Sequence, residues 1–200
     1  MSLPSLRSLL AVFKPEHSPG PPHDVRGGRF VVVIDCVLNQ NVRDQGAANC
    51  PAMNFEFLRL CHENGIGIMQ MPCPEIAALG FKRQRPPGTS IRQALDTPAG
   101  RLACADLAAS VVGRIVELAE QGFRPLAVLG GNPRSPGCAV HQAASELSAE
   151  SGVFMLALQA ELRRHGLDLP FRGLRDASPE LLAEDLQWFG QLSAATDAWL

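Results

Sequence analysis

The chain has 200 residues, of which 46% are hydrophobic and 19% charged, with a formal net charge of -2. That length suits one domain with a full core and is short for two, while the near-neutral charge offers no basic excess to drive nucleic-acid binding. No apolar run approaches the roughly 20 residues needed to cross a bilayer, and Leu9 to Phe13 is too short for a secretory core, so the sequence reads as cytoplasmic with no membrane partner.

Residues 1 to 28 read as a flexible amino-terminal extension, because SPGPPHD and RGG break regular structure after a short amphipathic start at Leu9 to Phe13. Residues 29–200 form the domain. The β-branched run from Arg29 to Asp35 predicts a strand covered on both faces. After a polar loop, Met53, Phe57, Leu60 and Cys61 fall at helical spacing, with Pro51 near the opening and Gly65 at the close. Ile66 to Met71 predicts a second strand, and Pro72 to about Pro98 reads as a long functional loop without periodicity. Cys104, Leu107, Val111, Ile115 and Leu118 mark one face of a helix over 101–122. PLAVLG is a third strand, followed by a helix over roughly 140–166 broken near Gly152, a short strand at Leu169 to Phe171, and a last helix at Pro179 to Leu192 capped by Ser178.

Strands alternating with helices imply parallel pairing through right-handed crossovers. The expected architecture is therefore a three-layer, doubly wound α/β domain, Rossmann-like or flavodoxin-like, with a mostly parallel sheet of about four strands. A 2-1-3-4 strand order would set the switch point beside the first strand.

Three cysteines each follow the end of a strand-like run: Cys36 after RFVVVID, Cys73 after IGIMQMP, and Cys138 in the loop after PLAVLGG. On neighbouring parallel strands, their loops would share one sheet edge. Three thiolates around an iron-sulfur core leave one iron without a protein ligand, unlike the closed four-cysteine clusters of electron transfer. The alternative is that all three are small buried hydrophobes. The other cysteines are Cys50, Cys61 and Cys104; no C-x-x-C occurs and reduced thiols are expected. Cys61 and Cys104 lie on apolar helix faces and read as core. Cys50 is placed at a helix start, where the dipole would favour its thiolate, although packing is the commoner use.

Glu75, two residues beyond Cys73, is a candidate general acid or base, or else a carboxylate held by a helix start. Ser135 and Asn132 in GGNPRSPGC could hydrogen-bond a substrate, or simply shape a turn. Arg43, Lys82, Arg83 and Arg85 are basic residues of the loops that would balance thiolate charge or anchor an anionic or carbonyl-bearing substrate if they turn inward. His17 and His23 fall in the extension, His62 and His165 have no partner at ligand spacing, and His141 is a minor candidate near Cys138. Neither nucleotide fingerprint occurs at a strand end.

These residues resemble the thiouracil desulfidase family. Its signature C-L-L-G-x-x-C-R-Y-D-G is similar to the run from Cys36 to Gly46 at the leading cysteine, Arg43 and the final glycine. Its P-x-C-P-E and following R-P-P resemble MPCPE at Met71 to Glu75 and Arg85-Pro86-Pro87, and its S-P-S-C-G resembles Ser135 to Ala139. The resemblance spans about residues 30–160. Asn39, Val42, Gly137 and Ala139 depart from the family pattern, which marks a diverged relative.

The resemblance implies a 4Fe-4S cluster on Cys36, Cys73 and Cys138, with Glu75 and Ser135 catalytic and Arg43, Arg85 and Asn132 contacting substrate. It implies removal of sulfur from a small thiolated molecule, thiouracil-like, by hydrolysis without net redox change. A homodimer is compatible with this reading. Two rivals remain: a non-catalytic iron-sulfur or sulfide-binding sensor using the same ligands, and a metal-free enzyme with a cysteine nucleophile, which needs an activating base that no histidine obviously supplies.

Overall fold

A computed structural model describes residues 24–143 and 146–197. The amphipathic start at Leu9 to Phe13, with His17 and His23, lies outside them. Strand β1 (Arg29–Ile34) is central, and every residue from Phe30 to Ile34 is buried, as its continuous apolar run requires. It pairs in parallel with β2 (Ile66–Met71), running from Arg29 opposite Ile66 to Ile34 opposite Met71. On its other side it pairs with β3 (Arg124–Gly130), which in turn pairs with the short β6 (Phe171–Gly173). The order β2-β1-β3-β6 is the expected 2-1-3-4 arrangement, with the last strand two residues later than the sequence suggested.

Helices flank this parallel sheet in a three-layer α/β fold. One-turn α1 (Asp35–Leu38) follows β1 directly, and α2 (Phe55–Glu63) leads into β2. After β2 come α3 (Pro74–Leu79), α4 (Ile91–Leu95) and the long α5 (Pro98–Glu120), which packs against α3, α4 and α6 (Val153–Arg164). The last helix, α7 (Pro179–Asp197), packs on α2, where the rings of Phe57 and Phe189 lie 5.8 Å apart. Cys61 and Cys104 are buried in the core as expected. No helix among the described residues is long and apolar enough to cross a membrane.

Four expectations are corrected. Helix α2 begins at Phe55, because the Asn54 side chain accepts from the Phe57 amide; Met53 is left exposed and Cys50 sits in the preceding loop, where no helix dipole acts on it. The stretch after Pro72 is not structureless. Pro74 opens α3, Gly80 closes it with φ 73°, and a reciprocal Ser90–Gln93 capping box starts α4. The expected helix over 140–166 begins only at Val153; before it runs an antiparallel hairpin of β4 (Gln142–Ala143) and β5 (Glu146–Leu147). The helix starts there because the amides of Gly152, Val153 and Phe154 donate to the carbonyls of Ala139, Pro136 and Gly137 in the Cys138 loop rather than to carbonyls one turn upstream. Finally, Gly27 and Gly28 already join the domain, since the Gly28 carbonyl accepts from the Arg124 amide at 2.8 Å.

Candidate functional site: a cysteine rim

The three cysteine loops leave the carboxyl edge of three adjacent strands. Cys36 follows β1 in the first turn of α1, Cys73 caps the start of α3 after β2, and Cys138 lies in the turn after β3. In-register pairing ends at Ile34 opposite Met71, so Cys36 and Cys73 leave their strands at the same level. The Gly131 amide donates to the Cys138 carbonyl at 2.8 Å, folding the third loop back over the end of β3.

The thiols sense one another. Burial pushes Cys138 well above the ordinary thiol range, with the Cys36 and Cys73 sulfurs adding to the rise and the Ser135 hydroxyl opposing it. Burial likewise raises Cys36, against the opposing charge and hydrogen bond of Arg43, and the Cys73 charge adds to the rise. Cys73 is raised by burial first, while the Ile76 amide and the Arg83 guanidinium oppose. Burial alone raises Cys61, and burial raises Cys104 with the nearby Asp96 charge adding to it.

Each rim sulfur has a polar neighbour. Arg43 Nη2 lies 3.6 Å from Cys36 Sγ, Arg83 Nη2 lies 3.9 Å from Cys73 Sγ, and Ser135 Oγ lies 2.9 Å from Cys138 Sγ. Two of the loop arginines thus turn inward. Arg83, 2% exposed, also donates to Glu75 Oε2 at 3.4 Å and to the carbonyls of Val42 and Phe81. Arg43 is paired with Asp176 at 2.7 Å, both side chains being nearly inaccessible. Each guanidinium therefore already faces a carboxylate, which leaves neither as a free anchor for an anionic substrate.

Other candidates sit differently. Arg85 is exposed, and its fork holds the carbonyls of Thr89 and Arg83. Lys82 is exposed. Asn132 donates its amide to Asp176 Oδ1 at 2.7 Å. The His141 ring meets the Pro133 carbonyl at 2.8 Å, and the Cys50 thiol donates to the Met53 carbonyl at 3.2 Å. Asp176 is the site residue that sequence reasoning missed; it stands 133 residues from Arg43 in the chain, so no local pattern announces it.

The rim donors are thiols, soft ligands that suit a soft metal rather than a hard cation such as magnesium or calcium. Among the described residues, no three His, Cys, Asp or Glu side chains are gathered closely enough to hold a metal ion, and the three rim thiols are related by their mutual charge effects and their place at adjacent strand ends. Buried thiols favour the neutral form until a cation binds, and a bound metal reverses that preference and deprotonates them. A Cβ on Gly131 would stand 2.7 Å from Cys138 Sγ, so the backbone yields space to that sulfur. A surface groove of about 500 Å³ lies between α2 and α7, lined by residues such as Leu60, Leu186 and Gly190, and none of its lining belongs to a cysteine loop.

No family model and no solved structure matches this chain. The chain is similar to an uncharacterized protein of Methanocaldococcus jannaschii, with 26% identity over 100 residues that make up 50% of this chain and 62% of the relative. It thus spans less than two thirds of that relative's length.

Proposed function

We propose that this chain is a desulfidase that removes sulfur from a small thiocarbonyl compound, thiouracil-like, and that Cys36, Cys73 and Cys138 hold a 4Fe-4S cluster for the purpose. The observation that carries the reading is the arrival of these three cysteines, and none of the other three, at the ends of the three adjacent strands β2, β1 and β3. With three protein ligands, such a cluster supplies an open iron, a Lewis acid with affinity for sulfur.

The surrounding residues support hydrolysis. Water replaces sulfur on carbon, so the C=S bond becomes C=O, and the two water protons leave with the sulfide. Glu75, 9% exposed and next to the Arg83 fork, is the carboxylate suited to carry a proton. The Ser135 hydroxyl, beside Cys138, is suited to orient the thiocarbonyl. Since Asp176 and Glu75 already balance the two inward guanidiniums, the site suits an uncharged substrate.

The test is anaerobic reconstitution, an iron count with an absorption spectrum, and incubation with 2-thiouracil and simple thioamides while released sulfide is measured. Iron binding with sulfide release is expected, and Cys36→Ala, Cys73→Ala and Cys138→Ala each abolish both. Cys61→Ala and Cys104→Ala retain iron. Equal iron retention in all five variants overturns the ligand assignment, and a full cluster without sulfide release from any thiocarbonyl favours the sensor reading.

A further inference from the structure

Asp176 lies in the turn between β6 and α7, outside every motif, yet it is the most connected side chain at the rim. Its Oδ1 accepts from Arg43 Nη2 at 2.9 Å, Asn49 Nδ2 at 2.8 Å and Asn132 Nδ2 at 2.7 Å. Its Oδ2 accepts from Arg43 Nη2 at 2.7 Å and Gln40 Nε2 at 3.2 Å. Gln40 in turn donates to the Cys36 carbonyl at 2.7 Å and accepts from the Asn49 amide. Asn132 closes the ring by accepting from the Ala177 amide at 3.3 Å.

We infer that Asp176 is a positioning residue for the cysteine rim: it aims Arg43 at the Cys36 sulfur, balances its charge, and ties the Cys36 loop to the loop that carries Cys138. A carboxylate suits this post because its two oxygens can serve the several donors from the two loops at once. Its charge matters separately from its reach. The potential of an iron-sulfur centre responds to net charge and to hydrogen bonds at its sulfurs, and the Arg43–Asp176 pair supplies one of each sign beside Cys36.

This inference rests on the cluster reading of the site, and its test separates the two. The full-length protein, Asp176→Asn, Arg43→Gln and the core control Cys104→Ala are reconstituted anaerobically; iron content, urea midpoint and cluster midpoint potential are measured. Asp176→Asn removes the negative partner and is expected to move the potential positive; Arg43→Gln removes the cation and is expected to move it negative. Cys104→Ala is expected to lower the urea midpoint and leave the potential where it was. If Asp176→Asn fails to fold, Arg43→Gln tests the same pair from its other end. A residue that merely props up the fold would leave the potential unchanged in both variants, or move it in one direction in both, and either result overturns the inference alone. A parent protein that assembles no cluster overturns the cluster reading and this inference together.

Discussion

Gly131 and Cys138 approach so closely that a Cβ at the glycine would stand 2.7 Å from the cysteine sulfur. Gly131 has no positive φ, so the requirement is for space and not for backbone freedom. Gly131→Ala must therefore displace the sulfur or the loop. Overpacking of this kind costs about 1–3 kcal/mol, and the displaced sulfur should hold iron poorly. Iron per chain after anaerobic reconstitution is expected to fall, together with a lower urea midpoint. Full iron content in Gly131→Ala would show that the close approach is incidental.

Arg83 combines an unfavourable backbone with a heavily used side chain. Its φ is 45°, in the left-handed region, and its buried fork serves Glu75, Val42, Phe81 and Cys73. Arg83→Ala leaves the Glu75 carboxylate buried without its ion-pair partner, a loss of about 3–5 kcal/mol. Arg83→Lys recovers little, because a point charge cannot reach four acceptors spread around a planar fork. Arg83→Gly loses the same side chain but tolerates the positive φ, so it should be at least as stable as Arg83→Ala. Urea midpoints check this order, and an alanine variant more stable than the glycine variant would refute the backbone part of the argument.

The core cysteines give a pH dependence with a definite sign. Burial holds Cys61 up to about 12 and Cys104 up to about 11, above the 9.0 of an ordinary thiol. Above pH 9 the unfolded chain releases these protons while the folded chain keeps them. The folded state then binds more protons, and stability falls as pH rises from about 9 toward 11 and 12. Each thiol contributes at most about 1.4 kcal/mol per pH unit in that window. Compared with Cys61→Ala, the parent should lose its stability advantage progressively between pH 9 and 12 in urea titrations. A constant gap across that range would mean that Cys61 ionises alike in both states.

The rim was legible because its signals are local. A β-branched run such as Phe30 to Ile34 cannot face water on either side, and a cysteine after each of three strands places itself once the strands pair in parallel, although β2 itself is half exposed. Signals for α3 and α4 were also present, in Pro74 with Gly80 and in Ser90 with Gln93, but helices of six and five residues carry too little periodicity to stand out. The hairpin before α6 was hidden for another reason: Gly152 reads as a helix break, but the carbonyls of Ala139, Pro136 and Gly137 that take the first helical amides meet them only in the folded chain. Asp176 had no signal at all, since its donors lie on loops that meet only in the folded chain.

A buried carboxylate also holds the segment that carries Asp176. Asp185, fully buried on α7, accepts from Arg172 Nε at 2.7 Å, Arg175 Nη2 at 2.7 Å and the Arg175 backbone amide at 2.9 Å. It thereby fixes the chain one residue before Asp176. Asp185→Ala leaves the Arg172 guanidinium and the Arg175 backbone amide without this acceptor, and leaves the Arg175 guanidinium with only Glu184 and the Leu181 carbonyl. Both arginines keep some contact with water, their side chains being 30% and 23% exposed, so the cost should fall near the lower end of the 3–5 kcal/mol typical of a broken buried pair, about 3 kcal/mol. Asp185→Asn keeps an acceptor for the Arg175 amide and should lose less. Because the tether acts on the Asp176 turn, iron retention should follow the same order, parent above Asp185→Asn above Asp185→Ala. Asp185→Ala with the parent's urea midpoint would show that α7 does not anchor this turn.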